Sequence, residues 1–94
     1  MERQSFENVW DALEETPAEA ANMAMRSSVL IALQQRIAGW NVTQAQAARR
    51  LGITQPRLND LLRGRIAKFS LDTLINLAGK AGLAVRLDIA ERAA

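Results

Sequence analysis

Between Thr43 and Arg65 the sequence is punctuated so closely that it leaves room for two short helices, a tight turn and little else. Thr43 and Gln46 form a capping box, in which a hydroxyl and an amide satisfy two orphan backbone N–H groups at a helix start. That helix ends at Leu51-Gly52, and Gly52 tolerates the positive φ that a tight turn needs. After Gly52-Ile53-Thr54 a second helix begins, with Pro56 in its first turn, where a missing N–H costs nothing. Arg63-Gly64-Arg65 ends it. Ala47, Ala48 and Leu51 give the first helix a small-residue inner face, while Leu58, Leu61 and Leu62 form that of the second. A small residue at Ala48 lets the two helices cross closely at a large angle, so the far side of the second helix stays free.

That far side holds Gln55, Arg57, Asn59 and Asp60, with Pro56 at the tip. Glutamine and asparagine make bidentate contacts to adenine, and arginine makes them to guanine. The chemistry therefore points to a helix that enters the major groove of DNA. Two roles are open to Asp60: accepting from a cytosine amino group, or repelling the backbone and excluding wrong sequences. Charge points the same way. The chain carries only +2 overall, but residues 49–68 hold six cations against Asp60, a balance of +5. Residues 1–22 hold six carboxylates against Arg3, a balance of −5. A basic block suits phosphate, and an acidic one suits a basic partner. Either block taken alone is more commonly a solvated face; the basic one gains weight because it overlies the motif.

The flanking segments read as follows. Phe6, Val9, Trp10 and Leu13 share one face of a short N-terminal helix. That face packs on the chain's own second helix or meets a protein partner. Pro17 pushes Thr16 out of the helical region and so ends the helix. Thr16, Pro17 and Glu19 start the next one, by capping box and first-turn proline. This helix runs to about Ala38, with Leu30, Leu33, Ile37 and Trp40 on its buried face and Trp40 as a lid on the core. Ser70 caps a later helix whose expected core positions are Leu71, Leu74, Ile75 and Ala78, with Gly82 just beyond. Leu83, Val85, Leu87 and Ile89 alternate with less apolar residues, the pattern of a half-buried strand. Such a strand needs a partner that the rest of the chain does not offer, and its twin in a second copy is the simplest supply. The whole of residues 1–94 is expected to form one domain: an acidic extension to 22, a helical core over 23–82, and a strand and tail over 83–94.

Composition removes other classes. With no cysteine and no histidine, the chain lacks thiolate metal ligands, the commonest metal ligand, and the usual neutral-pH acid–base group. No catalytic constellation assembles from its scattered carboxylates, so neither an enzyme nor a bound metal or cofactor is expected. Two Phe and two Trp, all expected to be buried, do not make the stacking surface of an RNA-binding module. No apolar run is long enough to span a membrane, and no basic start precedes one, so the cytoplasm is the expected location.

The run Thr43-Gln44-Ala45-Gln46-Ala47-Ala48-Arg49-Arg50-Leu51-Gly52-Ile53-Thr54-Gln55-Pro56-Arg57-Leu58-Asn59-Asp60-Leu61-Leu62-Arg63-Gly64 resembles the XRE family, which includes the lambdoid phage repressors. The resemblance implies a mainly α, lambda-repressor-like helix-turn-helix bundle, here with an N-terminal helical extension and a C-terminal β-strand. It implies that Gln44 holds a phosphate, that Gln55 and its neighbour touch bases, and that Arg63, Gly64 and Arg65 lie along the backbone. Thr43 and Lys68 join the phosphate set. Pro56 departs from the glutamine or serine often seen there, so its base contact is apolar and Arg57 is expected to carry more of the reading.

A wider resemblance takes in Ser5-Phe6-Glu7-Asn8-Val9-Trp10-Asp11-Ala12-Leu13, Thr16-Pro17-Ala18-Glu19-Ala20-Ala21-Asn22 and Phe69-Ser70-Leu71-Asp72-Thr73-Leu74. Together these are similar to HigA-type antitoxins. That resemblance implies a repressor of its own operon that also inhibits a small basic RelE-like ribonuclease, and two-fold pairing of the DNA-reading unit predicts a palindromic operator. A free-standing regulator without a toxin is the alternative. The expected dimer contacts are Leu83, Val85, Leu87 and Ile89, and the expected partner-binding face is Phe6, Val9, Trp10 and Leu13.

Overall fold

The computed structural model describes residues 16–92. Four α-helices follow one another: α1 (Pro17–Gly39), α2 (Gln44–Leu51), α3 (Gln55–Leu62) and α4 (Leu71–Lys80), with a short 3-10 turn (Ile66–Lys68) before α4. Each start is written in a hydroxyl. Thr16 and Thr43 make complete capping boxes, Glu19 N–H donating to Thr16 Oγ1 at 3.0 Å and Gln46 N–H to Thr43 Oγ1 at 3.1 Å. Thr54 and Ser70 accept from Arg57 N–H and Thr73 N–H in the same way. Each such cap stabilises its helix by about 1 kcal/mol.

Three of the helix ends share one device. After α2, Ile53 N–H donates back to Ala48 and Gly52 N–H to Arg49; after α3, Arg65 donates to Asp60 and Gly64 to Leu61; after α4, Leu83 donates to Ala78 and Gly82 to Gly79. This pair of nested bonds is the Schellman motif, and it places one residue in the left-handed region. Gly52 (φ 70°) and Gly64 (φ 72°) take that position without the steric cost another residue would meet.

Helix α1 is the spine. Its Leu30, Leu33 and Ile37 join Ala47, Ala48, Leu51, Leu58, Leu61, Phe69, Leu74, Leu77, Ala78 and Ala81 in one buried cluster. Ala47 and Ala48 are buried where α2 meets its neighbours, as their small size requires. Helix α1 also reaches out with polar side chains. Arg26 donates to the carbonyls of Ile66 and Phe69, Gln34 to those of Leu61 and Leu62, and Arg36 Nε to that of Ala81 at 2.9 Å. One helix thus adds side-chain donors to five carbonyls at three helix and turn ends.

Two expectations are corrected. Helix α4 buries Leu77 rather than Ile75, which is 39% exposed. The helix turns Leu74, Leu77, Ala78 and Ala81 inward, so the inner face lies slightly to one side of the one assigned from spacing. The expected C-terminal β-strand over Leu83–Ile89 is absent: among the described residues there is no strand of any kind. Leu83 is half-buried against the core, but Val85, Leu87 and Ile89 are exposed. An alternating pattern supplies a face, not hydrogen-bond partners, and without a neighbouring strand the extended backbone has no ladder to join.

Candidate nucleic-acid interface

The α2–α3 unit is set by the cap at Gly52 and by the anchoring of Ile53 against the core. Helix α3 then buries Leu58 and Leu61 completely. With 100° per residue, Pro56 and Arg63 fall opposite those leucines, Asn59 and Asp60 flank them, and Gln55 lies at the edge. Gln55, Pro56 and Arg63 are exposed, whereas Arg57, Asn59 and Asp60 are half-buried. Gln44, the first residue of α2, is exposed as well; the Thr43 hydroxyl is occupied in capping α2. The fold therefore leaves exposed Gln44 at the start of α2, Gln55 and Pro56 at the start of α3, and Arg63, Arg65 and Lys68 after α3.

The polar groups of α3 differ in how free they are. The Arg57 guanidinium lies 4.1 Å from the centre of the Phe69 ring, and its Nη1 donates to the Lys68 carbonyl at 2.9 Å. The Asp60 carboxylate takes Arg65 on one oxygen at 3.2 Å and Lys68 on the other at 3.6 Å. Arg63 caps α3, its N–H donating to Asn59, and Gly64 holds the left-handed turn. The cations expected to meet phosphate thus emerge together from the end of α3 and the following 3-10 turn, with Asp60 among them.

Trp40 is half-buried against the core, and the Arg50 guanidinium lies 4.6 Å from the centre of its ring. That placement fits a core lid. The face formed by Phe6, Val9, Trp10 and Leu13 lies outside the described residues. Met25 and Val29 of α1, Ile75 of α4, and Leu83, Val85 and Leu87 line an apolar groove of about 620 Å³.

Sequence reasoning missed Gln34, Arg26 and Arg36, whose partners lie 27 to 45 residues away. It also missed the docking of Arg57. A signal for the latter was present, since Arg57 precedes Leu61 by four residues and so sits on the flank of the buried face. Among the described residues no group of three or more carboxylates is placed to hold a metal, and no helix is long and apolar enough to cross a membrane.

Comparison with known proteins agrees with this geometry. The sequence matches the family described as the helix-turn-helix domain over residues 12–90. A solved structure described as an XRE-family transcriptional regulator superposes with a TM-score of 0.71 at 29% identity, covering 78% of this chain and 82% of that one. No curated protein matches the sequence significantly.

Proposed function

The chain belongs to the helix-turn-helix domain family, a DNA-binding transcription-regulator class, and from that premise we propose that it is a sequence-specific repressor acting as a homodimer on a palindromic operator. The observation that carries this reading is the exposure of residues along α3 and after it: Gln55 and Pro56 at its start, and the basic Arg63, Arg65 and Lys68 beyond its end. Gln55 has the donor and acceptor for adenine, and the three cations supply attraction to phosphate. Thr43 and Gln44 add contacts from the start of α2, where backbone N–H groups favour an anion.

One such unit reads only a few base pairs, and two-fold pairing doubles the site. The second copy docks on the apolar face lined by Met25, Ile75, Val85 and Leu87, with the exposed Ile89 following in the chain. Met25, Ile75, Val85 and Leu87, which line one groove, are 43%, 39%, 44% and 69% exposed, and larger apolar patches on a monomer mark interaction sites. The protein works in the cytoplasm, where its DNA is.

A finer function, inhibition of a small basic ribonuclease, rests on the resemblance to HigA-type antitoxins and on the −5 balance of residues 1–22. An acidic segment with apolar anchors complements the positive surface that a ribonuclease presents to RNA. The primary test is selection from a randomised duplex pool by the full chain. Recovery of a palindromic sequence supports the repressor; recovery of no sequence preference refutes it. Co-purification with the product of an adjacent reading frame, with and without residues 1–15, tests the ribonuclease partner.

A further inference from the structure

The cap that ends α3 differs from its two counterparts in one respect. In the nested motif the residue whose carbonyl accepts the outer bond and the residue after the glycine are brought side by side, and an apolar contact frequently joins them. After α2 that pair is Ala48 and Ile53, and after α4 it is Ala78 and Leu83. After α3 the pair is Asp60 and Arg65, joined by a backbone bond of 3.0 Å and an ion pair of 3.2 Å. The backbone turn itself therefore delivers a cation to the carboxylate. Lys68, from the next turn, takes the second oxygen. The Asp60 side chain is only 17% exposed, against 48% for Arg65 and 55% for Lys68, so the cations project beyond their counter-ion.

Arg57 completes the arrangement from the other side. It bonds the carbonyl of Lys68, the same residue whose ammonium meets Asp60. Its guanidinium covers Phe69, which is 1% exposed. Swinging Arg57 out to a base would uncover that ring and leave the Lys68 carbonyl without this donor.

We propose that Arg57 and Asp60 are positioning residues: Asp60 aims Arg65 and Lys68 at phosphate, Arg57 ties the start of α3 to the turn that carries Lys68, and base recognition falls to Gln55, Pro56 and Asn59. The inference rests on the DNA-binding proposal above. Both Asp60 oxygens already face cations, and a charge-assisted bond is roughly twice as strong as a neutral one, so a cytosine amino group is a poor substitute. A guanidinium held by a ring face and a carbonyl is likewise not an open fork for guanine.

The test uses the full chain and the duplex it selects from a random pool, together with a panel carrying each single base-pair change. Asp60→Asn is expected to shift affinity for every duplex by a common factor, leaving the ratios between duplexes within about twofold, while Gln55→Ala changes the ratio at one or two positions by about tenfold. An Asp60→Asn protein that alters the ratio at one base pair by about tenfold or more overturns the assignment. For Arg57, whose replacement endangers folding, the unmodified protein is observed. Its δ-methylene protons should be shifted upfield by the Phe69 ring and should stay so when the duplex saturates the protein. Their return to the position of an exposed arginine on binding DNA overturns the positioning role. A protein that selects no duplex fails the DNA-binding proposal and takes this inference with it, an outcome distinct from either of the others.

Discussion

The side-chain amide of Gln34, in the middle of α1, donates to the carbonyls of both Leu61 and Leu62, at 3.1 and 3.3 Å. It holds the end of α3 to the helix that organises the core. Gln34→Ala leaves the Leu62 carbonyl without this donor, and that of Leu61 with backbone donors alone, such as Gly64 N–H, and should destabilise the fold by about 1–2 kcal/mol. Gln34→Glu, which faces those carbonyls with a carboxylate, should cost more. Urea denaturation of the three proteins measures the order, and equal stability of Gln34→Ala and the parent would show that the bonds contribute nothing.

Gly64 tests the backbone of the same cap. A β-carbon there would lie 3.6 Å from Gln34 Nε2, an ordinary contact, so space is not limiting. The cost of Gly64→Ala is then conformational, about 1–2 kcal/mol for a left-handed residue. Gly64→Asn should lose less, because asparagine visits that region more readily. A loss for Asn larger than for Ala would point to crowding instead.

The dimer proposal is tested at Leu87. The residue is 69% exposed, so Leu87→Asp should change the stability of the monomer by no more than about 0.5 kcal/mol. It should abolish pairing, read as a halved mass by sedimentation, and weaken operator binding. A fully dimeric Leu87→Asp protein would place the interface elsewhere.

DNA binding should depend steeply on salt. If about six phosphates are neutralised, log K falls against log salt with a slope near −5, and each lost contact lowers that slope by about 0.9. Arg63→Ala should flatten it by about that amount and weaken all sequences alike. An unchanged slope would remove Arg63 from the phosphate set.

The sequence by itself determined the positions of the described helices. Their starts at Thr16, Thr43, Thr54 and Ser70, and the turns at Gly52 and Gly64, depend on groups within five residues of one another. Hydroxyl caps and left-handed glycines act over that range whatever the rest of the chain does, and so they are legible in one dimension. Tertiary structure decided what lay across the fold. It selected Leu77 over Ile75 for the core, because the inward face of a helix depends on the neighbour it meets. It placed Arg57 on Phe69, Asp60 between Arg65 and Lys68, and the polar side chains of α1 on carbonyls up to 45 residues away. It also withheld the strand expected after Leu83. The alternation is present in the residues, but a strand is made by a partner's hydrogen bonds, and the described residues provide none.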